Sequence, residues 1–208
     1  MALEKIFFRQ VMGRFATGVT VVTTRHQEVL GGLTVNAFCS VSLEPPLILI
    51  CVDLKSQTLP LIRDSKIFAV NMLTQQQEEL SNCFATSSPE RFDFFCNATH
   101  HTAVTGAPIL DKTLAFIDAR VVAEYPGGDH SIFLGQVAAM GTAERTLFVE
   151  DGFDQHYDAA IANGQNGSSQ HADPSPLLYY QGQYRHLGNL QRKPTLTTTG
   201  TAHEDGSN

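Results

Sequence analysis

The sequence predicts a mainly β protein with short helices, folded as an antiparallel barrel. Apolar runs rich in β-branched residues recur along the chain, most clearly at residues 18–24 and 47–54. Turn sequences rich in glycine and proline join most of these runs, rather than long helical segments. This pattern gives about six to eight strands and two or three short helices. Strands that succeed one another without regular crossover helices are typical of antiparallel barrels.

The size and composition of the chain are those of an ordinary soluble enzyme. The 208 residues suit one large domain, or one domain with a tail, whose core needs no disulfide or metal. The net charge of −7 argues against a nucleic-acid-binding protein, because such proteins present a basic face. It does not argue against an anionic ligand, since a few backbone amides and hydroxyls can hold one phosphate.

The N-terminal segment and the apolar runs favour a cytoplasmic protein. No apolar run approaches the ~20 residues that are needed to span a bilayer. Glu4, Lys5 and Arg9 interrupt the apolar residues near the N-terminus, whereas a signal peptide keeps its central segment free of charge. We therefore expect neither a membrane segment nor export.

The first part of the chain combines one amphipathic helix with β segments. Residues 3–16 place apolar side chains at helical spacing, and the β-branched run at 18–24 predicts a strand. We expect a turn or short hairpin over 25–32, because this stretch ends in two glycines. A second β segment should cover 33–43, and the apolar run at 47–54 indicates a strand buried on both faces.

Two short helices with recognisable starts come next. Ser56 is a suitable N-cap for a helix that runs to residue 65, and a strand should follow over 66–73. Thr74 and Gln77 are three residues apart and form a capping box, which predicts a second helix ending near residue 85.

The later part of the chain is predicted to hold a hairpin, an insertion and a last pair of strands. Residues 88–110 are expected to be irregular. Strands at 114–125 and 130–141 should form the hairpin, because the turn sequence Pro-Gly-Gly-Asp separates them. The polar segment 142–175 is interpreted as an insertion with one short helix near 153–162. The last strands are predicted over 177–188.

The four cysteines offer no clear disulfide or metal pattern. Cys39, Cys51, Cys83 and Cys96 are scattered without a C-x-x-C motif, and we expect them to be reduced in the cytosol. Two of them, Cys83 and Cys96, lie near a pair of histidines at 100 and 101. That spacing fits no usual zinc site, so partly buried thiols beside a polar loop are preferred and no metal is predicted.

Familiar catalytic motifs are absent, but polar residues cluster at two places. The chain has no G-x-S-x-G, H-E-x-x-H, P-loop or G-x-G-x-x-G motif. The first cluster lies at 34–40, between two apolar runs. The second follows the strand at 47–54, where Ser56 and Thr58 open a helix and could seat a phosphate. A plain helix cap is the alternative for Ser56, and a surface position in a turn is the alternative for His130.

Six segments in one order carry a family resemblance: FRQVMGRFATGVTVVTT, GLTVNAFCSVSLEPPLILICVD, SQTLPLI, FAVNML, GDHSIFLGQV and PLLYYQGQYRHLG. Together they resemble the flavin reductase-like family, the FMN-binding split β-barrel proteins. That family includes the reductase components of two-component flavin monooxygenases. The resemblance covers residues 5–188 apart from 142–175. It implies one split-barrel domain over 1–188. The polar composition of residues 189–208 predicts a disordered tail after that domain.

The resemblance also implies a flavin site. Backbone groups around 34–37 should meet the polar edge of the isoalloxazine, with the Asn36 side chain positioning the ring and Ser40 toward the phosphate. The implied flavin-binding residues are Thr34, Val35, Asn36, Ala37, Ser40, Cys51, Val52, Asp53, Ser56, Gln57, Thr58, Phe84 and Ala85.

The implied chemistry is hydride transfer from NADH or NADPH to bound FMN or FAD. The flavin carries this chemistry, so the protein needs only to hold two flat rings about 3.5 Å apart. His130 matches the histidine of the family's GDH segment, and we expect it to bind NAD(P)H or to act catalytically beside the flavin. Tyr184 and Arg185 are further candidates for NAD(P)H binding.

The predicted function is therefore an NAD(P)H:flavin oxidoreductase that supplies reduced flavin to a partner monooxygenase. The resemblance implies a homodimer with flavin sites near the subunit seam. Two alternatives stay open: a flavoprotein with tightly bound FMN that reduces a small molecule directly, and a flavin carrier or sensor without turnover. The sequence does not distinguish FMN from FAD or NADH from NADPH. It also does not identify the partner.

Overall fold

The computed structural model describes residues 4–142, 146–149 and 175–187. Its α-helices are α1 (Lys5–Met12), α2 (Thr58–Ser65), α3 (Glu78–Ala85) and α4 (Pro89–Phe92). Its strands are β1 (Thr17–Gly18), β2 (Thr20–His26), β3 (Val29–Val35), β4 (Phe38–Leu43), β5 (Pro46–Asp53), β6 (Ile67–Met72), β7 (His100–Thr102), β8 (Pro108–Leu110), β9 (Ala115–Gly127), β10 (His130–Thr142), β11 (Thr146–Phe148), β12 (Leu178–Tyr180) and β13 (Gln183–Arg185).

One antiparallel sheet of eight strands forms the body of the molecule. Its strand order is β3-β2-β6-β9-β10-β5-β4, with β11 pairing onto the second half of β10. The end strands β3 and β4 follow each other in sequence, yet within the described chain they form no ladder with each other. The sheet curls around one apolar core and stays open along this seam. The predicted antiparallel, mainly β fold with short helices is confirmed.

Aliphatic and aromatic side chains from opposite parts of the sheet fill the core. Val22 of β2, Ile50 of β5, Phe68 of β6 and Phe133 of β10 are all fully buried in one cluster. Ile62 of α2 closes the cluster from one side. Burying a side chain of this size contributes about 1.5–3 kcal/mol, so the β-branched and aromatic runs of the sequence provide the main stabilisation.

Strand β5 is buried on one face, and the prediction that both faces are covered was wrong. Ile48, Ile50 and Val52 point into the core, whereas the alternate residues 47, 49 and 51 are half-buried on the outer face. An antiparallel sheet commonly packs only one face on its core, so a continuous apolar run does not prove burial on both sides. The outer apolar positions of β5 are therefore available for another contact.

The hairpin predicted over 25–32 is present, with its turn at residues 27–28 between β2 and β3. Gly31 and Gly32 lie beyond the turn, inside β3. A Cβ on Gly31 would lie 2.6 Å from Leu61 Cδ1, and one on Gly32 would lie 2.5 Å from the Phe84 ring. The two glycines are needed because α2 and α3 approach this strand closely.

The segments predicted at 33–43 and 88–110 are also divided differently. The first segment breaks at Asn36 and Ala37, between β3 and β4. The second, predicted to be irregular, contains α4, a 3₁₀ turn at Phe95–Asn97 and the β7–β8 hairpin. These elements are too short for hydrophobic periodicity to reveal them.

Other sequence predictions concern the helix starts and the insertion. The capping box of Thr74 and Gln77 is present, and the Thr74 amide donates to Gln77 Oε1 at 3.0 Å. Part of the predicted insertion at 142–175 belongs to the sheet as β11, which pairs with Ala139 to Gly141 of β10. The helix expected near 153–162 and the tail from 189 lie outside the described residues.

Cys83 and Cys96 form a disulfide, with their Cα atoms 6.0 Å apart. The expectation that all four cysteines are reduced was wrong for this pair, because the chain after α3 folds back and brings residue 96 beside residue 83. Cys39 and Cys51 are free thiols. Within the described ranges, none of the helices has the length and apolarity needed to cross a bilayer.

Candidate functional site

A cleft of about 490 Å³ lies where the ends of β3, β5 and α3 meet the β12–β13 hairpin. It gathers residues that the sequence analysis named from distant segments: Thr34, Asn36, Asp53, Ser56, Phe84, Ala85 and Tyr184. The cleft also includes Lys55, Ser87, Arg91 and Tyr179, which the sequence analysis did not name. The lining thus combines hydroxyl and cationic groups with aromatic residues.

Other residues of the predicted flavin site lie elsewhere. Val35, Val52 and Thr58 do not line this cleft, and their side chains are only 6%, 0% and 1% exposed, so a contact with a ligand there would fall to their backbone groups. Ser40 and Gln57 are exposed but do not line this cleft. Alternation along β3 and β5 explains the valines, because neighbouring strand residues point to opposite faces.

The turn between β5 and α2 forms the polar end of the cleft. Asp53 Oδ1 accepts a hydrogen bond from the Lys55 amide at 2.8 Å, and the Asp53 carbonyl accepts from the Ser56 amide at 2.9 Å. Ser56 Oγ accepts from the Thr58 amide at 3.3 Å, although the N-cap position itself is Gln57. Asp53 therefore shapes the turn, and Ser56 presents its hydroxyl at the positive end of α2.

Arg91 is the most informative residue of the cleft, and sequence reasoning missed it. It is 7% exposed. Its Nε donates to the Gly32 carbonyl at 2.8 Å, one Nη to the Thr86 carbonyl at 2.8 Å and the other to Thr58 Oγ1 at 3.2 Å. Burial lowers the pKa of Arg91 from its ordinary value. No carboxylate of the described residues forms an ion pair with it.

A buried guanidinium without an acidic partner is a costly arrangement. Arginine stays protonated in proteins, so burial cannot neutralise it. A buried charge is normally paired, and breaking such a pair costs about 3–5 kcal/mol. Since Arg91 faces the cleft, an anionic ligand is the natural counter-ion. In the sequence, Arg91 is marked only by an aromatic neighbour in a stretch without periodicity. That pattern is too common to identify Arg91 as a site residue.

Aromatic residues form another part of the cleft lining. Phe84 is fully buried beneath Gly32 and meets Phe95 edge-on at 5.2 Å between ring centroids. Tyr179 and Tyr184 meet edge-on at 5.6 Å. The Tyr184 hydroxyl is 2.8 Å from Ser81 Oγ of α3, which fixes the C-terminal hairpin against that helix. A flat apolar group would find dispersion contacts here without further rearrangement.

The polar residues of the β3–β4 connection differ in their availability. Thr34 Oγ1 donates to the Ser81 carbonyl at 2.6 Å, so its hydroxyl is committed to the fold and only its backbone remains for a ligand. Asn36 is exposed, and its side-chain amide makes no hydrogen bond with another described residue. The Asn36 side chain therefore offers donors and an acceptor to a ligand. It lies where the cleft meets an adjoining groove.

His130 stands beside the cleft and does not line it. It pairs with Asp53 across the β10–β5 ladder, and its side chain is 41% exposed. His130 Nδ1 lies 2.7 Å from Asp129 Oδ1, a hydrogen bond that lowers the pKa of the Asp129 carboxyl. Arg185 is exposed on β13 and also lies outside the cleft lining. Both could contact only a ligand that extends beyond the cleft.

An adjoining groove of about 610 Å³ separates α1 from the outer face of β4 and β5. It shares Asn36 and Tyr179 with the cleft and includes Ala37 and Cys51, two further residues of the predicted flavin site. Burial raises the pKa of the Cys51 thiol, and the neighbouring Cys39 raises it further. The groove is mostly apolar, and exposed aromatic side chains of α1 border it.

Fold and cleft together define a class: a small split-barrel protein whose side cleft suits an anionic ligand with a flat apolar part. Comparison with known proteins narrows this class. A family model described as "Flavin reductase like domain" matches residues 12–188. The chain therefore belongs to the flavin reductase-like family.

Individual relatives and structures agree with this assignment. The chain is 32% identical over 198 residues to "Flavin-dependent monooxygenase, reductase subunit HsaB" of Mycobacterium tuberculosis, covering 95% of this chain and 88% of that protein. It is 31% identical over 192 residues to "NADH-dependent flavin reductase" of a Rhodococcus species, covering 90% and 89%. The structure of NADH:FAD oxidoreductase SgcE6 of Streptomyces globisporus, in complex with NAD and FAD fragments, has a TM-score of 0.68 at 29% identity. That match covers 89% of this chain and 94% of the SgcE6 chain.

Proposed function

We propose that the protein is an NADH-dependent flavin reductase that passes reduced flavin to a partner monooxygenase. The observation that carries this proposal is Arg91, a buried cation that has no acidic partner among the described residues and lines a cleft that also holds hydroxyl and aromatic groups. A flavin nucleotide joins a phosphate to a flat ring system and so matches both kinds of group. The names of the relatives, a monooxygenase reductase subunit and an NADH-dependent flavin reductase, support the same function.

The residues of the cleft fit a flavin in two parts. The Arg91 guanidinium, the Ser56 hydroxyl and the Lys55 ammonium would hold the phosphate at the start of α2. The Asn36 amide and the backbone around Thr34 would hold the polar edge of the ring, while Tyr179 and Tyr184 would supply apolar surface. Bound flavin and nicotinamide supply the hydride-transfer chemistry themselves. The protein contributes binding, orientation and exclusion of water.

We further propose that the nicotinamide nucleotide approaches across the mouth of the cleft, where His130 and Asp53 stand side by side on adjacent strands. There His130 would contact the incoming nucleotide and orient it, rather than take part in the bond changes. Tyr184 borders the cleft, and Arg185 lies one residue further along β13, in reach of an extended ligand. The structure of SgcE6 with NAD and FAD fragments supports a site that accepts both nucleotides.

We propose that a second copy of the chain covers α1 and the outer face of β4. No residue of α1 is buried, and its Phe7 is 60% exposed. Phe15 after the helix and Leu43 at the end of β4 are 70% and 90% exposed. Such a patch marks an interface. The groove beneath it is continuous with the cleft through Asn36, so a homodimer would place each flavin near the subunit seam.

We also propose a single functional domain over 1–188, which the family match to 12–188 supports. A cytoplasmic location is proposed because NADH and the oxygenases that use reduced flavin are found there. Whether FMN or FAD is preferred is left to experiment, since both carry the phosphate that the polar end of the cleft requires.

The test is a steady-state assay of NADH oxidation at several concentrations of FMN and FAD, repeated with NADPH. We expect a rate that saturates with flavin and is faster with NADH. A rate without added flavin, together with yellow colour retained through desalting, would instead favour a tightly bound flavin that reduces a small molecule directly. Flavin binding without any NADH oxidation would support a carrier or sensor.

A further inference from the structure

We propose that the Cys83–Cys96 disulfide is a redox-controlled clamp on the ligand cleft, opened by a dithiol reductant. Opening it would weaken the hold on the flavin phosphate and so favour flavin release. This inference rests on the proposed flavin site and adds a regulation that the family assignment does not contain.

The disulfide closes the segment of the chain that carries one wall of the cleft. It joins the last turn of α3 to the 3₁₀ turn at Phe95–Asn97, with 13 residues of sequence separation. Phe84, Ala85, Ser87 and Arg91 all lie within this closed segment and all line the cleft. The bond therefore limits how far this wall can move from the rest of the site.

Arg91 depends on this closure for its position. Two of its hydrogen bonds reach outside the segment, to the Gly32 carbonyl and Thr58 Oγ1, and one reaches the Thr86 carbonyl within it. The guanidinium therefore connects the segment to β3 and α2. Only Phe92, Asp93 and Phe94 separate Arg91 from the turn at Phe95–Asn97 that the disulfide holds. A segment free at Cys96 would fluctuate more and hold the guanidinium less steadily.

The backbone around Cys96 favours leaving the closed conformation once the bond is broken. Phe95, Cys96 and Asn97 have φ values of 50°, 54° and 52°, three consecutive residues in the left-handed region. None of them is glycine, so each bears a steric cost that the surrounding structure must offset. Besides the disulfide, the turn is held by burial of Phe95, by its edge contacts with Phe84 and His100 at 5.2 and 5.3 Å, and by two local backbone hydrogen bonds at 2.8 and 3.0 Å.

A cellular dithiol alone supplies the electrons and protons that reduction of the Cys83–Cys96 disulfide requires. Both cysteines are half-buried, so a reductant can reach the bond. One thiolate of the dithiol attacks a protein sulfur and forms a mixed disulfide, and its second thiol then displaces the other protein sulfur. Two electrons and two protons pass to the protein, and the reductant becomes a disulfide. Disulfides of mesophilic cytosolic proteins are usually transient or redox-sensing, which agrees with a switch in a protein proposed to be cytoplasmic.

The experiment compares the full chain in two states, oxidised and treated with dithiothreitol, the dithiol being removed by gel filtration under nitrogen. Ellman's reagent in denaturant should count two thiols in the first state and four in the second, because the other two cysteines are free. The Kd values for FMN and for riboflavin, which lacks the phosphate, are then measured in both states. Trypsin cleavage after Arg91 reports the mobility of the segment without any ligand.

We expect reduction to raise the Kd for FMN by about threefold or more, with a ceiling of about 150-fold set by the closure entropy of a loop of this length. The Kd for riboflavin should rise less than that for FMN, because riboflavin lacks the phosphate that Arg91 is proposed to hold, and trypsin should cut after Arg91 faster. The double variant Cys83→Ser/Cys96→Ser should bind FMN like the reduced protein and ignore dithiothreitol. The matched control Cys39→Ser, which removes a free thiol outside the segment, should keep the full response.

Three results would overturn the proposal. If FMN binds with the same Kd in both thiol states, the disulfide does not act as a clamp, and the proposed flavin reductase function is unaffected. If reduction weakens the binding of FMN and of riboflavin equally, the disulfide does not act through the phosphate-binding residues. Absence of binding of both FMN and FAD, in both thiol states, refutes the proposed function and the clamp together. The reduced wild-type chain gives these answers even where the double variant does not fold.

Discussion

Replacement of Arg91 by methionine tests the central feature of the cleft, a buried guanidinium that awaits an anionic partner. A guanidinium has five N–H donors, and three of them bond to Gly32, Thr86 and Thr58. Two donors, one on each Nη, therefore remain for a phosphate. A hydrogen bond to a charged group contributes about 1.5–3 kcal/mol, so losing even one should raise the Kd for FMN about 10- to 150-fold.

The assay is fluorescence titration of FMN and of riboflavin, in the wild type and in Arg91→Met and Arg91→Lys. Riboflavin lacks the phosphate, so its Kd should change little in either variant. Arg91→Lys keeps the charge and loses the planar fork, and it should give an intermediate loss for FMN. The reasoning would be refuted by an unchanged Kd for FMN in Arg91→Met. It would also be refuted by an equal loss for riboflavin, which would mean that Arg91 only shapes the cleft.

Three further predictions concern other parts of the molecule. Asn36→Leu should weaken flavin binding by about 1–3 kcal/mol through loss of the side-chain amide, and an unchanged Kd would remove Asn36 from the site. His130→Ala should raise the KM for NADH more than that for flavin; the opposite pattern would contradict its position at the mouth of the cleft. Hydrogen bonds from Arg63 and then Ser131 lower the pKa of Glu124, so the stabilisation that Arg63→Gln removes should be present at neutral pH. It should disappear as the pH falls through that lowered pKa, which urea titrations at several pH values would measure, and a difference that persists in strong acid would contradict the linkage.

The strands were the predictable part of the fold, because their apolar content is local information. The run at 18–24 overlaps β2, and the run at 47–54 overlaps β5. The capping box at Thr74 marks the correct start of its helical segment. Gly31 and Gly32 were misplaced because two glycines resemble a turn in sequence. Only the positions of Leu61 and Phe84 show that they serve close packing.

The site was predictable where sequence motifs carry it and hidden where tertiary contacts create it. Asn36 and Ser56 lie in quoted motifs, and both reach the cleft. Arg91 has no local signal, because its burial and its lack of an acidic partner exist only after three separate segments converge on it. The Cys83–Cys96 bond depends in the same way on a reversal of the chain that no periodicity reports.

The exposed helix α1 has a consequence for how the protein folds and assembles. A helix of eight residues is too short to persist in water on its own, and α1 buries none of its side chains within the described chain. If the second copy proposed above covers it, that contact supplies the order of the helix. Self-association and the last step of folding would then be one event, and the melting temperature would rise with protein concentration.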